Sequence, residues 1–367
     1  MVYANNAATK TLLGAIYQLG LLLLMFCLGS EIRSAFQSRD RKTAGIITLA
    51  GTLAPFLLGL AFLHFIDSAR FIGAAQNSTA FLLVFAIAIA VTSIPVISRI
   101  LFDLGILETD FARIVLTVAV MEDIILYVLL AVALSMVGKR NGEGFGLQHL
   151  LGIDGTSALG FAYYAVSVLL FFSLSLWLGP RLLRAANSSR LNLLSRASPV
   201  AHLLVFLLLI TGLAVFIGIP PMFGGFVAGI VAGSAGESSE VALKTIKGFS
   251  FAFFIPIYFA IVGLKLDLIR AFDPLFFLVF LLFACAAKAS SVYLGARLAG
   301  ENRLGSLNLA VAMNARGGPG IVLASVAFDA RIINESFYVI LIMLSIITSL
   351  LAGSWLDFVL RKKWSLR

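Results

Sequence analysis

The chain has 367 residues, of which 60% are hydrophobic and 12% charged, and its mean hydropathy is +1.04. An average soluble domain carries roughly 25% charged residues, so a water-soluble globule is excluded. The net charge of +9 is not a nucleic-acid signal, because the basic residues follow the loops between apolar runs.

Eleven apolar runs, most near the roughly 20 residues that cross about 30 Å of hydrocarbon, predict an all-α membrane protein with about 11 transmembrane helices. The first, 11–30, is too long for a leader and is followed by a charged loop, not by a small-residue cleavage site. The second is 43–63. The third, 79–98, contains Thr92-Ser93-Ile94-Pro95; proline donates no hydrogen bond and frees a carbonyl one turn back, so a break is predicted there. The fourth, 111–137, has its midpoint at Glu122–Asp123. The fifth and sixth are 158–179 and 199–217. The seventh and eighth, 220–234 and 249–264, are short, and Glu237 to Lys247 between them reads as an interfacial helix. The ninth, 275–296, carries Lys288 near its centre. The tenth, 304–327, contains Asn314-Ala315-Arg316-Gly317-Gly318-Pro319-Gly320, which predicts an unwound stretch. The eleventh is 336–359.

A charge at the bilayer centre costs about 3 to more than 10 kcal/mol, so Glu122, Asp123, Lys288 and Arg316 are functional candidates. Irregular backbone at that depth is tolerated where it is buried in protein or lines a wet cavity. Freed carbonyls and half-helix ends can bind a small ion there. Thr92 and Ser93 join the candidate ligands, and Arg316 would offset a half-helix C-terminus. Each break alone would be a simple kink, and Lys288 alone a structural partner for a carboxylate; their conjunction points to a midplane ion site. The broken spans are seven apart, an odd offset that gives opposite orientation, as in an inverted repeat.

Cys27 and Cys285 lie in apolar runs and read as packing residues. His64, His149 and His202 have no metal-ligand spacing, so no metal is expected. With the loop after the first span placed inside, that side receives 18 of the 27 basic residues and the other side 7, leaving Lys288 and Arg316 within spans. This predicts an outside N-terminus and a cytoplasmic C-terminus.

Several stretches resemble the monovalent cation:proton antiporter family, which includes sodium/proton exchangers and Kef-type transporters: 19–31, 92–101, Glu122-Asp123, 223–229, 254–265, Lys288 with Gly295-Ala296-Arg297, and 314–322. The resemblance implies two crossed discontinuous helices in a core (about 79–137 and 275–359), with the remaining helices as a dimerisation scaffold. It implies that Asp123 carries the ion and the proton, that Lys288 pairs with the acidic site, and that Thr92 lies in the first unwound segment. Glu122 stands where the family often has Asp or Asn, and Gly318 where it often has Glu. One or two further helices are expected ahead of the first span, and no soluble regulatory domain is expected after the last.

The expected activity is exchange of Na⁺ or K⁺ for protons by alternating access. The expected partners are the lipid bilayer and a second copy in a homodimer, with no cofactor and no nucleic acid. The expected location is a bacterial inner membrane. An organic-anion/sodium symporter of the same fold and a non-transporting homologue remain open on the sequence. An intramembrane enzyme is disfavoured, since no His or Cys accompanies the central carboxylates.

Overall fold

The computed structural model describes residues 7–35, 41–137, 146–152, 158–189 and 192–367. In chain order the helices are α1 Ala7–Ala35, α2 Arg41–Phe62, α3 Ser78–Ala90, α4 Ile94–Asp103, α5 Asp110–Ser135, α6 Leu147–Leu150, α7 Ala158–Ser188, α8 Leu193–Ala197, α9 Pro199–Phe216, α10 Pro221–Ser234, α11 Glu237–Phe249, α12 Ile255–Leu264, α13 Pro274–Leu298, α14 Arg303–Ala312, α15 Gly317–Asp329 and α16 Glu335–Arg361. Among the described residues ten helical runs are long and apolar enough to cross a membrane, and Pro221–Ser234 is a shorter apolar helix. The molecule is an integral, multi-pass α-helical membrane protein. Of the basic residues used for orientation, Arg39, Lys139, Arg140 and Arg190 lie outside the described residues.

The chain divides into two compact units, 1–34 with 138–265 and 35–137 with 266–367. In the first unit α1 and α10 approach closely at reciprocal glycines. A Cβ on Gly29 would lie 2.0 Å from the Phe226 carbonyl oxygen, and one on Gly229 would lie 2.1 Å from that of Phe26. Only glycine permits this backbone-to-backbone approach. The interfacial helix expected at Glu237–Lys247 is corrected here, because α11 runs on through a π segment, Ser250–Phe254, into α12 as one span. The cause is Pro256. The π turn pairs the Ile255 N–H with the Ser250 carbonyl and places the proline in the first turn of α12, where its missing N–H costs least.

The second unit contains α2 to α5 and α13 to α16. Helix α2, assigned to the scaffold on sequence, belongs to this unit. Its small residues explain the placement: a Cβ on Gly295 of α13 would lie 2.6 Å from Ala50 Cβ, and one on Gly59 would lie 2.8 Å from Ile89 Cδ1 of α3. Phe71, Phe81, Phe85, Phe280 and Phe337 form an aromatic cluster with ring centroids 5.1 to 6.0 Å apart. Leu53, Leu57 and Leu350 are by contrast more than half exposed, which is favourable against hydrocarbon and not against water.

Candidate functional site

The site lies within the second unit and begins with two interrupted helices. Helix α3 ends at Ala90 and α4 starts at Ile94; α14 ends at Ala312 and α15 starts at Gly317. Both breaks fall slightly ahead of the prolines and not on them. Pro95 occupies the first turn of α4, and Gly317, Gly318 and Pro319 open α15. Proline is well placed at a helix start, because the N–H it lacks would have no intrahelical partner there. Ser93 caps α4, its Oγ accepting from the Val96 N–H at 3.3 Å.

The two breaks meet. The Thr92 hydroxyl donates to the Met313 carbonyl at 2.7 Å, and the Ser93 N–H donates to the Ala315 carbonyl at 2.6 Å. Gly317 sits at φ +34°, and a Cβ there would lie 2.3 Å from Val96 Cγ2 and 2.9 Å from Ser93 Oγ. Glycine is thus required by close approach as well as by backbone conformation.

Arg316 is fully buried. Its guanidinium donates to the carbonyls of Ala88 (3.2 Å), Ile89 (3.0 Å), Ala284 (2.9 Å) and Asn314 (3.2 Å), and to Asn314 Oδ1 (3.2 Å). Ala88 and Ile89 belong to the last turn of α3, so the arginine of one broken helix neutralises the negative end of the other. Lys288 takes the next carbonyl, that of Ala90, at 2.6 Å. The same ammonium donates to the Gly51 carbonyl at 2.8 Å and to both Glu122 carboxylate oxygens at 2.8 Å. Lysine and glutamate side chains are both fully buried. Of the two carboxylates offered to Lys288 by the sequence, the structure selects Glu122.

Asp123 differs from its neighbour. It is 2% exposed, lies within electrostatic reach of Glu122 and Lys288, and its Oδ1 has no hydrogen-bond partner among the described residues. The carbonyls at the breaks have donors within the protein: those of Ala88, Ile89, Ala90, Met313, Asn314 and Ala315 each accept from Arg316, Lys288, Thr92 or Ser93. The helix ends are closed by the protein's own donors, since unsatisfied backbone at this depth costs several kcal/mol by the usual estimate for lipid. Thr92 and Ser93 likewise serve the crossing, although the Thr92 hydroxyl also lies against the Glu122 carboxylate.

Gly51 is the site residue that the reading of charges and prolines passed over. Its carbonyl binds Lys288, and a Cβ there would lie 2.8 Å from Glu122 Oε1 and 2.9 Å from Val292 Cγ2. A glycine in mid-span was the available signal. Among the described residues no group of three or more His, Cys, Asp or Glu could hold a metal.

Residues 5–362 match the family model described as sodium/hydrogen exchanger, transmembrane. A Na⁺/H⁺ antiporter of Synechocystis sp. is 28% identical over 357 residues, covering 95% of this chain and 82% of that protein. Cation/H⁺ antiporter 20 of Arabidopsis thaliana is 27% identical over 358 residues, covering 95% of this chain and 42% of its own length. K⁺/H⁺ antiporter 1 of Saccharomyces cerevisiae is 27% identical over 348 residues, covering 92% of this chain and 38% of its own length. The chain therefore spans less than half the length of the plant and yeast relatives.

Proposed function

The chain belongs to the sodium/hydrogen exchanger family, and from that premise we propose that it exchanges a monovalent cation, Na⁺ or K⁺, for protons by alternating access, with Asp123 as the carrier. The observation that carries this reading is the unequal treatment of two adjacent buried carboxylates. Glu122 has a dedicated ammonium. Among the described residues Asp123 has none, and Arg316 is spent on carbonyls.

A bare carboxylate buried without a partner is too costly to persist. It must hold either a proton or a cation, and a site that is acceptable with either but not with neither is the elementary requirement of exchange. Glu122 and Lys288 then neutralise each other and hold α2, α3, α5 and α13 around the carrier. The relatives named as Na⁺/H⁺, K⁺/H⁺ and cation/H⁺ antiporters support the reaction class, and a family of transporters supports transport in place of covalent chemistry. Which of the two cations is carried is left to the assay. The distribution of Lys and Arg supports an outside N-terminus and a cytoplasmic C-terminus; the placement in a bacterial inner membrane and the homodimer are proposed from the family resemblance alone.

The test is flux in liposomes containing the purified full chain. An imposed pH gradient should drive Na⁺ or K⁺ movement, and Asp123→Asn should abolish it. Wild-type flux in the Asp123→Asn protein would remove Asp123 from the mechanism. Flux of an organic anion with Na⁺, and none against protons, would replace exchange by symport.

A further inference from the structure

Half-helices α14 and α15 are both tethered at the ends remote from their break. At the α15 end the backbone of 70–77 is stitched to 331–334. The Gly73 N–H donates to the Ile332 carbonyl at 2.8 Å, and the Asn334 N–H to the Phe71 carbonyl at 3.0 Å. At the α14 end the tether is made by residues 362–367. Lys363, at φ +55°, turns the chain back after α16, and the Trp364 ring meets Phe358 edge-on at 5.6 Å.

The returning segment is fastened at two points. Asn308 of α14 is fully buried; its amide donates to the carbonyls of Ser365 (3.1 Å) and Leu366 (3.2 Å) and accepts from the Trp355 indole at 3.0 Å. Glu301, 5% exposed, receives Arg367 Nε on both carboxylate oxygens at 3.0 Å and Nη2 at 2.9 Å. The backbone is close as well, since a Cβ on Gly305 would lie 3.0 Å from Arg367 Cα.

We propose that residues 362–367 form a strap that sets the register of α14, and that Glu301 and Asn308 are positioning residues for the Met313–Ala315 carbonyls of the crossing. Asn308 is little more than one helical turn from Met313, and a helix rises only about 1.5 Å per residue, so a shift at the strap reaches the crossing almost undiminished. Because Ser365, Leu366 and Arg367 are consecutive, opening the strap would remove their hydrogen bonds to Asn308 and Glu301 together. The strap thereby gives the chain a conformational control over the crossing.

The transport arm of the test rests on the exchange reading; the hydrogen-exchange arm does not. In the purified full chain, Glu301→Gln and Asn308→Ala should each speed exchange of the amides 309–315 by roughly fivefold or more, as loss of a buried hydrogen bond implies. In liposomes the same variants should raise the apparent cation KM several-fold while leaving the maximal rate close to wild type. Glu301→Arg combined with Arg367→Glu should restore both. Trp355→Phe removes one hydrogen bond and keeps a smaller aromatic ring, and it should give a smaller change of the same sign, so the test survives if Asn308→Ala does not fold. Unchanged protection at 309–315, or uniform loosening of the whole chain with an unchanged KM, would overturn the strap. Altered protection together with an inactive wild type would retain the strap and remove the exchange reading.

Discussion

Glu122 and Asp123 are neighbours on one helix and equally hidden, yet only Glu122 is bonded to a cation. This separates their expected mutational signatures. Lys288→Met should strand the Glu122 carboxylate and destabilise the protein by about 3–5 kcal/mol, the usual cost of breaking a buried pair from one side. Adding Glu122→Gln should recover much of that loss, and melting curves of the single and double variants check it. Asp123→Asn should behave in the opposite way. It removes a carboxylate whose Oδ1 has no partner, so the melting temperature should hold or rise while flux disappears. A large fall in stability would identify Asp123 as a structural residue. The charged candidates were legible because ionised side chains are so rarely left in apolar spans. What the sequence could not disclose was the partner: Lys288 was free to meet either carboxylate, and the choice depends on the Gly51 and Ala90 carbonyls that complete its shell. Backbone ligands carry no side-chain signature.

At the scale of elements, the interruptions were legible from Pro95 and from the glycine-rich run at 317–320, since those residues weaken a helix wherever they stand. Their exact placement was not. A proline that begins a half-helix and one that ends the preceding half read alike in sequence, and the difference lies in the caps that Ser93 and its neighbours supply. The continuous run α11–α12 was missed for a related reason. A π turn ahead of Pro256 absorbs the proline without ending the helix, whereas low hydropathy at Glu237–Lys247 suggested a separate surface helix. The crossing also yields an internal control. Gly317→Ala places a Cβ against Val96 and Ser93 at a positive φ, while Gly318→Ala meets nothing within 4 Å. The first should cost more than about 1 kcal/mol, as an alanine does where the native backbone is incompatible with it. The second should be neutral or slightly stabilising. Thermal unfolding of the two variants in detergent checks both signs, and equal effects would mean that the α4–α15 contact is looser than described.

For the whole molecule, the ten long apolar helices were countable from hydropathy because each is long enough to cross the hydrocarbon, while the eleventh run expected, 220–234, is the shorter helix Pro221–Ser234. The allocation of α2 was not, because membership of a packed unit depends on which glycine faces which partner, as at Gly51, Gly59 and Gly295. The proposed orientation rests on a different property, the asymmetry of 18 basic residues against 7. Lys and Arg in short loops resist translocation, so the richer side is proposed to face the cytoplasm. The two ends of α13 make a sharp test: Lys265 and Arg270 precede it, while Arg297 lies in its last turn and Arg303 opens α14. A phosphatase that is active only outside the cytoplasm should be active when inserted between Lys265 and Asp273, and inactive when fused after Arg367. A fluorescent protein that matures only in the cytoplasm should give the reverse pattern. Inverted reporters at both positions would turn the chain over in the membrane and reverse the side from which the proposed site releases its proton. The hydrogen-bonded geometry of the crossing would be untouched, because nothing in the contacts among Thr92, Met313, Ser93 and Ala315 depends on which face is inside.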